Sequence, residues 1–383
     1  MQPRYAHTSQ DASLSRSAPN SGPSGTATHL VLLDTIRGLA ALAVALLHVR
    51  EINWIGMREF IHQHGADDSL MSLVAYASFP LTWGSIGVPV FFVLSGYVIH
   101  RGSRMRLVSR VAAMSFLRRR FIRIYPVFLV SLVITALCDS WSAQYGLHPK
   151  HGDISFLNAL MNAGALVGIV GSPYGSNTAL WSLPIEIQLY CAYPVALMAW
   201  RRLGPSRMML LACAITLAGV SLQLATGILC GLTYFAPWWL GAYVADREFH
   251  DECLRFQKPI GLALIAIGCL ACSLRYGLAS HLVWSLGFAM VLDCIIRQPK
   301  SRVVVPLSGL LAACGAFSYS LYAIHMPVAV AFNAATLGGA KATTLYWTII
   351  AMFPVMLAAY FLYVLVERPS AALLAAMRSA DRG

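Results

Sequence analysis

Apolar segments, each about as long as a membrane-crossing helix, follow one another along most of this 383-residue chain. A helix needs about 20 predominantly apolar residues to cross the hydrocarbon core. Lipid offers the backbone no hydrogen-bond partners, so such segments must pair their own amide groups, as helices do. Only 11% of the residues are charged, against about 25% in soluble domains. The sequence therefore predicts an all-α polytopic membrane protein.

About ten of these segments are predicted to be transmembrane helices. They lie near residues 30–49, 82–100, 120–139, 178–200, 207–226, 229–245, 259–275, 279–297, 308–331 and 345–366. A further apolar segment, 156–171, is shorter. Residues 1–28 are rich in Ser, Pro and Gly, which predicts a disordered tail. A membrane domain over 29–369 and a short cytoplasmic tail over 370–383 complete the predicted organisation.

The net charge of +12 indicates membrane topology rather than nucleic-acid binding, because the basic residues cluster between the apolar segments. The loop over 101–123 carries eight arginines, which places it in the cytoplasm. If 156–171 does not cross the membrane, 22 basic residues face the cytoplasm and five face outside. Both termini are then cytoplasmic, and 156–171 is re-entrant or interfacial. We expect a multi-pass protein of the plasma membrane, which in bacteria is the inner membrane.

The first apolar segment contains three ionisable residues, Asp34, Arg37 and His48. A charge within the bilayer is costly, and such residues usually face a bundle interior and mark a functional site. Arg37 and His48 are eleven residues apart, so in a helix they share one face and lie about 16 Å apart along the axis. Asp34 lies one turn before Arg37 and can pair with it. A single histidine could equally be a packing residue, but the face shared with Arg37 favours a site.

Two other apolar segments carry polar residues that rise toward the predicted outer face. Glu186 falls in the outer half of its span, where an unpaired carboxylate needs a partner. Tyr319, Tyr322 and His325 follow one another at helical spacing. With His48, these residues predict a polar site in the outer half of the membrane.

Arg120 and Arg123 stand one helical turn apart at the cytoplasmic end of the third predicted span. Two interpretations are open for this pair. The arginines either fix topology and anchor lipid headgroups, or they clamp an anionic ligand that enters from the cytoplasm. Ser95 precedes a glycine in the second span, where small residues favour close helix packing, and it is a further candidate for the pocket.

The chain resembles the acyltransferase-3 family of integral membrane O-acyltransferases in a set of motifs that occur in family order. They are LDTIRGLAALAVALLH, FFVLSGYVI, RRRFIRIYP, LWSLPIEIQLY, SYSLYAIHMPV and VERP, and they lie between residues 33 and 369. The family's hallmark is an arginine and a histidine separated by ten residues in the first span, matched here by Arg37 and His48. Its Arg-x-x-Arg element is matched by Arg120 and Arg123, and its acidic residue after Trp-Ser-Leu by Glu186.

This resemblance implies transfer of an acyl group, usually acetyl, from cytoplasmic acyl-CoA to a hydroxyl of an extracytoplasmic or lipid-linked carbohydrate. No metal and no permanently bound cofactor are expected. Histidine suits a general base because its unperturbed pKa lies near neutrality, so His48 is predicted to activate the acceptor hydroxyl. Glu186 is predicted to orient or charge-balance His48 or Arg37, and Arg120 and Arg123 to hold the CoA phosphates. Direct transfer is favoured over an acyl-histidine intermediate.

Two other classes of protein remain as alternatives. Intramembrane Arg, His and Glu also suit the proton relay of a transporter that exports a sugar or an anion. A transporter built from repeats should show matched halves, but the second half has no counterpart of the Arg37–His48 pair. A purely structural membrane scaffold would not need buried charges. The acyltransferase is the preferred hypothesis.

Overall fold

The computed structural model describes residues 23–65, 69–107, 109–145, 153–248, 256–297 and 308–380. Within these ranges the regular secondary structure is helical, apart from two isolated bridge pairs between single residues. The predicted all-α class is therefore confirmed for the described part of the chain. Residues 1–22, the larger part of the predicted N-terminal tail, lie outside the described residues.

The helices follow one another with short connections. They are α1 (Pro23–Asn53), α2 (Met57–His64), α3 (Leu70–Ala77), α4 (Gly87–Ser103), α5 (Arg110–Ala143), α6 (Phe156–Ala163), α7 (Ser182–Thr226), α8 (Phe235–Arg247), α9 (Gln257–Ser273), α10 (Gly277–Arg297), α11 (Ser308–Ala316), α12 (Ser318–Leu337), α13 (Tyr346–Leu362) and α14 (Arg368–Ala380). Two 3-10 segments, Phe79–Ile86 and Thr178–Trp181, precede α4 and α7, and a π-helical turn, Tyr363–Glu367, joins α13 to α14.

The first helix begins earlier than the sequence predicted. A disordered tail was expected to end at residue 28, but α1 starts at Pro23. Proline suits the first turn of a helix because the amide it lacks has no intrahelical partner there. The helix of the first apolar segment therefore extends toward the N-terminus through the polar residues that precede the segment.

Seven helical stretches in the described part of the chain are long and apolar enough to cross a membrane, so the chain is a polytopic membrane protein. They are Val31–Asn53, Leu70–Ser103, Arg110–Ala143, Thr178–Thr226, Gly277–Arg297, Ser318–Leu337 and Tyr346–Met377. This number is smaller than the ten that were predicted. Part of the difference lies in α8 and α9, which have 13 and 17 residues and are shorter than the roughly 20 residues of a typical span.

The rest of the difference lies in α7, which contains two predicted spans in one 45-residue stretch. A straight helix of this length would extend about 68 Å at 1.5 Å per residue, roughly twice the hydrocarbon thickness. The stretch is broken at Gly204, whose φ of 77° and ψ of 171° are not helical, and Pro205 follows. Two helical segments therefore meet at the break that separates the predicted spans 178–200 and 207–226.

As the sequence predicted, the segment 156–171 does not form a spanning helix. It consists of the eight-residue α6 followed by turns. Eight helical residues rise only about 12 Å. Ser155 caps the helix by accepting a hydrogen bond from the Asn158 amide at 3.2 Å.

Small residues bring α1 close to the helices that surround it. Ala41 and Ala45 of α1 are buried in one cluster with Ala323 of α12. A Cβ atom added to Gly315 of α11 would lie 2.0 Å from the carbonyl oxygen of Asp34. Backbones this close require small side chains. The packing places the polar face of α1 against α11 and α12.

Candidate active site

Two histidines from distant parts of the sequence meet where α1 packs against α12. Nδ1 of His48 lies 2.8 Å from Nε2 of His325, and the two rings are stacked at 19°. His325 is fully buried, while His48 is half-buried. The sequence predicted both residues for the site but did not pair them with each other.

The hydrogen bonds of His325 determine the tautomers of a neutral pair. Its Nδ1 lies 2.8 Å from the carbonyl oxygen of Tyr322 and 3.2 Å from that of Leu321. A carbonyl oxygen only accepts, so Nδ1 of His325 carries the proton and Nε2 has the lone pair. His48 must then donate from Nδ1. The lone pair of His48 is therefore on Nε2, where a neutral imidazole can accept a proton.

A cavity of about 150 Å³ lies among α1, α4, α5, α7, α11 and α12. Seven of the predicted site residues line it, namely Arg37, Ser95, Arg120, Arg123, Glu186, Tyr319 and Tyr322. Apolar side chains of α4, such as Phe91 and Phe92, form much of the remaining wall. Of the other predicted residues, His48, His325 and Asp34 lie outside the lining.

Tyr322 connects the cavity with the histidine pair. Its ring lines the cavity, and its centre lies 5.9 Å from that of the His325 ring. The hydroxyl of Tyr322 donates to the carbonyl oxygen of Ala179 at 3.0 Å and accepts from Ser182 at 2.6 Å. Contacts with the start of α7 thus fix this side chain between the two parts of the site.

Glu186 accepts a hydrogen bond from its own helix. The hydroxyl of Tyr190, one turn along α7, donates to the Glu186 carboxylate. Ser95 lies 3.1 Å from the same hydroxyl and accepts from the Trp238 indole at 3.3 Å. Trp238 therefore donates to Ser95, Ser95 donates to Tyr190, and Tyr190 donates to Glu186. Among the described residues, Tyr190 is the hydrogen-bond donor to Glu186, and the role of Glu186 in orienting or charge-balancing His48 or Arg37 stays a prediction.

The hydrogen bond from Tyr190 to Glu186 has a physical reason. An intramembrane carboxylate needs hydrogen-bond donors, and the tyrosine four residues along the same helix face supplies one. The spacing from Glu186 to Tyr190 was visible in the sequence. Ser95 also does more than pack, since it links α4 to this chain of hydrogen bonds.

Three arginines line the cavity. Arg37 pairs with Asp34 at 3.2 Å, as predicted, and both side chains are partly exposed. Arg120 and Arg123 face the cavity from α5, one turn apart. The Arg120 guanidinium lies over the rings of Phe116 and Tyr190, 5.4 and 5.8 Å from their centres. The arginine pair therefore contributes to the pocket and not only to the charge of its loop.

One residue of this site, Glu367, was not among the predicted site residues. This carboxylate is only 1% exposed and lies 3.2 Å from Nη2 of Arg123. It also accepts hydrogen bonds from the hydroxyl of Ser320 at 2.7 Å and from its amide at 3.2 Å. Glu367 ends the π-helical turn, an irregularity that is frequent at functional sites. Its position directly after an apolar segment was the available signal, and it was used only as part of the VERP motif.

No group of three or more His, Cys, Asp or Glu side chains in the described residues could hold a metal ion. The chemical groups that the site does present are a histidine pair, the carboxylates of Glu186 and Glu367, and three guanidinium groups. Such groups can move a proton and bind an anion.

Comparisons with known proteins agree with this chemistry. A family model described as an acyltransferase domain matches residues 30–373. The acyltransferase MdmB of Streptomyces mycarofaciens is 29% identical over 180 residues, which are 45% of this chain and 39% of MdmB. An O-acetyl transferase of Shigella phage Sf6 is 24% identical over 259 residues, 64% of this chain and 73% of that protein.

BcsY of Komagataeibacter xylinus, which carries the name of a membrane-bound transacylase, is 30% identical over 330 residues, 79% of this chain and 73% of BcsY. No solved structure gives a significant match to this chain. The family match covers most of the chain and includes every helix that lines the cavity. The chain therefore belongs to the acyltransferase-3 family of membrane acyltransferases.

Proposed function

We propose that this protein is an O-acyltransferase that moves an acyl group, expected to be acetyl, from cytoplasmic acyl-CoA to a hydroxyl of an extracytoplasmic or lipid-linked carbohydrate. The observation that carries the proposal is the proximity of the His48–His325 pair to the arginine-lined cavity, with Tyr322 between them. The names of the Sf6 and MdmB relatives support acyl transfer.

In the proposed reaction, His48 acts as the general base. Its Nε2 takes the proton of the acceptor hydroxyl as the hydroxyl oxygen attacks the thioester carbonyl. The carbon–sulfur bond then breaks, and the leaving CoA thiolate takes the proton from the His48 imidazolium, which returns His48 to its neutral form. His325 accepts the hydrogen bond from Nδ1 of His48, which fixes the tautomer and stabilises the imidazolium that forms.

The donor is proposed to bind through Arg37, Arg120 and Arg123. Guanidinium groups bind phosphates through paired, charge-assisted hydrogen bonds, and CoA carries several phosphate groups. Glu367 positions Arg123 through the contact of 3.2 Å. Glu186 is proposed to keep the cavity polar, because it accepts the last hydrogen bond of the chain that runs from Trp238 through Ser95 and Tyr190.

The proposed topology has ten spans with both termini in the cytoplasm, in a bacterial inner membrane. The break at Gly204 supports counting α7 as two crossings, and α8 and α9 supply the two shorter ones. This orientation turns Arg120 and Arg123 toward the cytoplasmic donor and the histidine pair toward the outer acceptor.

The proposal is tested in cells by NMR of the surface glycan. Deletion of the gene should remove O-acyl signals, and the wild-type gene should restore them. A gene carrying His48→Ala should fail to restore them at an equal protein level in the membrane. Arg106→Ala, at an exposed arginine of the cytoplasmic loop, is the control and should restore them fully. An unchanged glycan in the deletion strain would contradict the proposed acceptor class.

A further inference from the structure

Arg50, in the last turn of α1, is a buried arginine outside the cavity. Its side chain is only 5% exposed, whereas the arginines of the cavity are partly exposed. It follows His48 by two residues, about 3 Å along the helix axis and about 200° around it. Arg50 therefore lies at the same end of the helix as the proposed base, on the opposite side.

The guanidinium of Arg50 is held on a rigid aromatic surface. Its central carbon lies 4.6 Å from the centre of the Trp54 ring. Trp54 is itself 2% exposed and donates from its indole to the carbonyl oxygen of Thr343 at 3.0 Å. A backbone bridge joins Trp54 to Ala342, so the connection between α12 and α13 fixes the ring.

One hydrogen-bond donor of Arg50 has no partner, because Nε is buried without an acceptor. The exposed carboxylate of the adjacent Glu51 acts on Arg50 through its charge. No hydrogen bond or salt bridge joins the guanidinium to a carboxylate among the described residues. The ring face and the end of the helix both favour a positive charge, but Nε finds no acceptor on either of them. A buried donor without an acceptor is unfavourable, which points to a ligand that supplies one.

We propose that Arg50 binds an oxyanion of the carbohydrate that accepts the acyl group. This oxyanion is either the carboxylate of an acidic sugar or the phosphate of a phosphorylated or lipid-linked sugar. Stacking on Trp54 occupies the face of the guanidinium and leaves its in-plane donors for a planar, bidentate partner. An acceptor anchored there reaches His48 across the width of α1, about 10 Å. This inference rests on the proposed function for the identity of the ligand as an acceptor.

The test measures thermal unfolding and oxyanion binding of the purified full-length chain in detergent, with glucuronate and glucose 1-phosphate as probes and without acyl donor. Without an oxyanion, Arg50→Met should unfold at the same temperature as the wild type or higher, because a buried donor without an acceptor is removed. Both probes should raise the unfolding temperature of the wild type. Their affinity should be roughly tenfold or more lower in Arg50→Met, which lacks the paired charge-assisted hydrogen bonds.

Lys341→Gln is the matched control, since it removes an exposed positive charge from the connection that holds Trp54, and it should bind both probes like the wild type. If Arg50→Met does not accumulate, Arg50→Lys keeps the charge but loses the planar donor pair, and it should still bind the probes more weakly.

Three results would overturn the proposal. One is a lower unfolding temperature of Arg50→Met without oxyanion, which would make Arg50 a structural residue. Another is equal binding of the probes by wild type and variant, or no binding by either. The third is stabilisation of the wild type by short-chain phosphatidylglycerol but not by the sugar probes, which would assign the site to a lipid headgroup. None of these results depends on acyl transfer, so the proposed function can fail separately.

Discussion

At the scale of single residues, the site is a set of side chains whose protons have defined positions. His325 donates to a backbone carbonyl and so presents a lone pair to His48. This direction leaves Nε2 of His48 as the basic atom. In the proposed reaction, His325 therefore acts through His48, as a positioning residue rather than as a base.

Replacement of His325 separates this positioning role from a role in binding. His325→Ala should lower kcat about tenfold, the order expected for one lost hydrogen bond in a polar network, with little change in KM for acyl-CoA. His325→Gln should recover part of the loss, because an amide oxygen can accept from Nδ1 of His48. Steady-state kinetics of the purified variants measures both parameters. Equal activity of His325→Ala and the wild type would contradict the role.

Arg123 and Glu367 form the second residue-scale contact that can be tested. Arg123→Gln should raise the Kd for CoA roughly tenfold or more, the effect of losing a charge-assisted contact to phosphate. Glu367→Gln should raise it less, because the arginine remains but is less well oriented. The double variant should bind no more weakly than Arg123→Gln alone, since Glu367 acts through Arg123.

The control for this series is Arg118→Gln, at an exposed position on the same helix. It removes one positive charge from the same basic segment, 101–123, and should leave the Kd for CoA unchanged. If Arg118→Gln weakens CoA binding as much as Arg123→Gln does, then the arginines act only through the charge of the loop.

At the scale of helices, small residues determine whether the site assembles. Gly315 of α11 lines the cavity, and its Cα faces the backbone of α1 next to Asp34. The helical spacing of Arg37 and His48 predicted which face of α1 is polar, and this prediction needed local periodicity alone. The pairing of His48 with His325 spans 277 positions of the chain, and no local pattern encodes a contact of that separation.

A single added methyl group tests this helix contact. Gly315→Ala should destabilise the protein by about 1–3 kcal/mol, the usual cost of overpacking, because its Cβ would meet the carbonyl oxygen of Asp34 at 2.0 Å. Gly309→Ala, on the same helix, is the matched control, because no atom lies within 4 Å of its added Cβ. Thermal unfolding in detergent should show a lower midpoint for Gly315→Ala only. Equal midpoints would contradict the close approach of α1 and α11.

At the scale of the whole molecule, composition and apolar segments were sufficient to predict a polytopic helical protein. They did not give the number of long helices, because segment boundaries depend on backbone breaks such as Gly204 and on the positions at which the shorter helices α8 and α9 begin and end. The charged residues that line the cavity, Arg37, Arg120, Arg123 and Glu186, were all predicted, since charges in apolar segments are rare and therefore informative. Glu367 escaped because it lies at the end of its segment rather than within it.

The proposed orientation of the molecule rests on the basic loops and can be measured directly. Single cysteines at Gln144, Ser206 and Ser379, all exposed, are introduced into a cysteine-free variant and probed on intact cells with a membrane-impermeant thiol reagent. Positive-inside topology predicts labelling at 144 alone. Labelling at 206 would mean that 156–171 crosses the membrane and that the second half is inverted.

The central claim is that His48 catalyses acyl transfer from acyl-CoA. The most direct measurement uses the purified protein in lipid nanodiscs with radiolabelled acetyl-CoA and surface glycan from the deletion strain. The wild type should form an alkali-labile ester on the glycan. His48→Ala should form it about 10²–10⁴-fold more slowly, the usual contribution of general base catalysis, while binding CoA with unchanged affinity. Ester formation by His48→Ala at the wild-type rate would contradict the account.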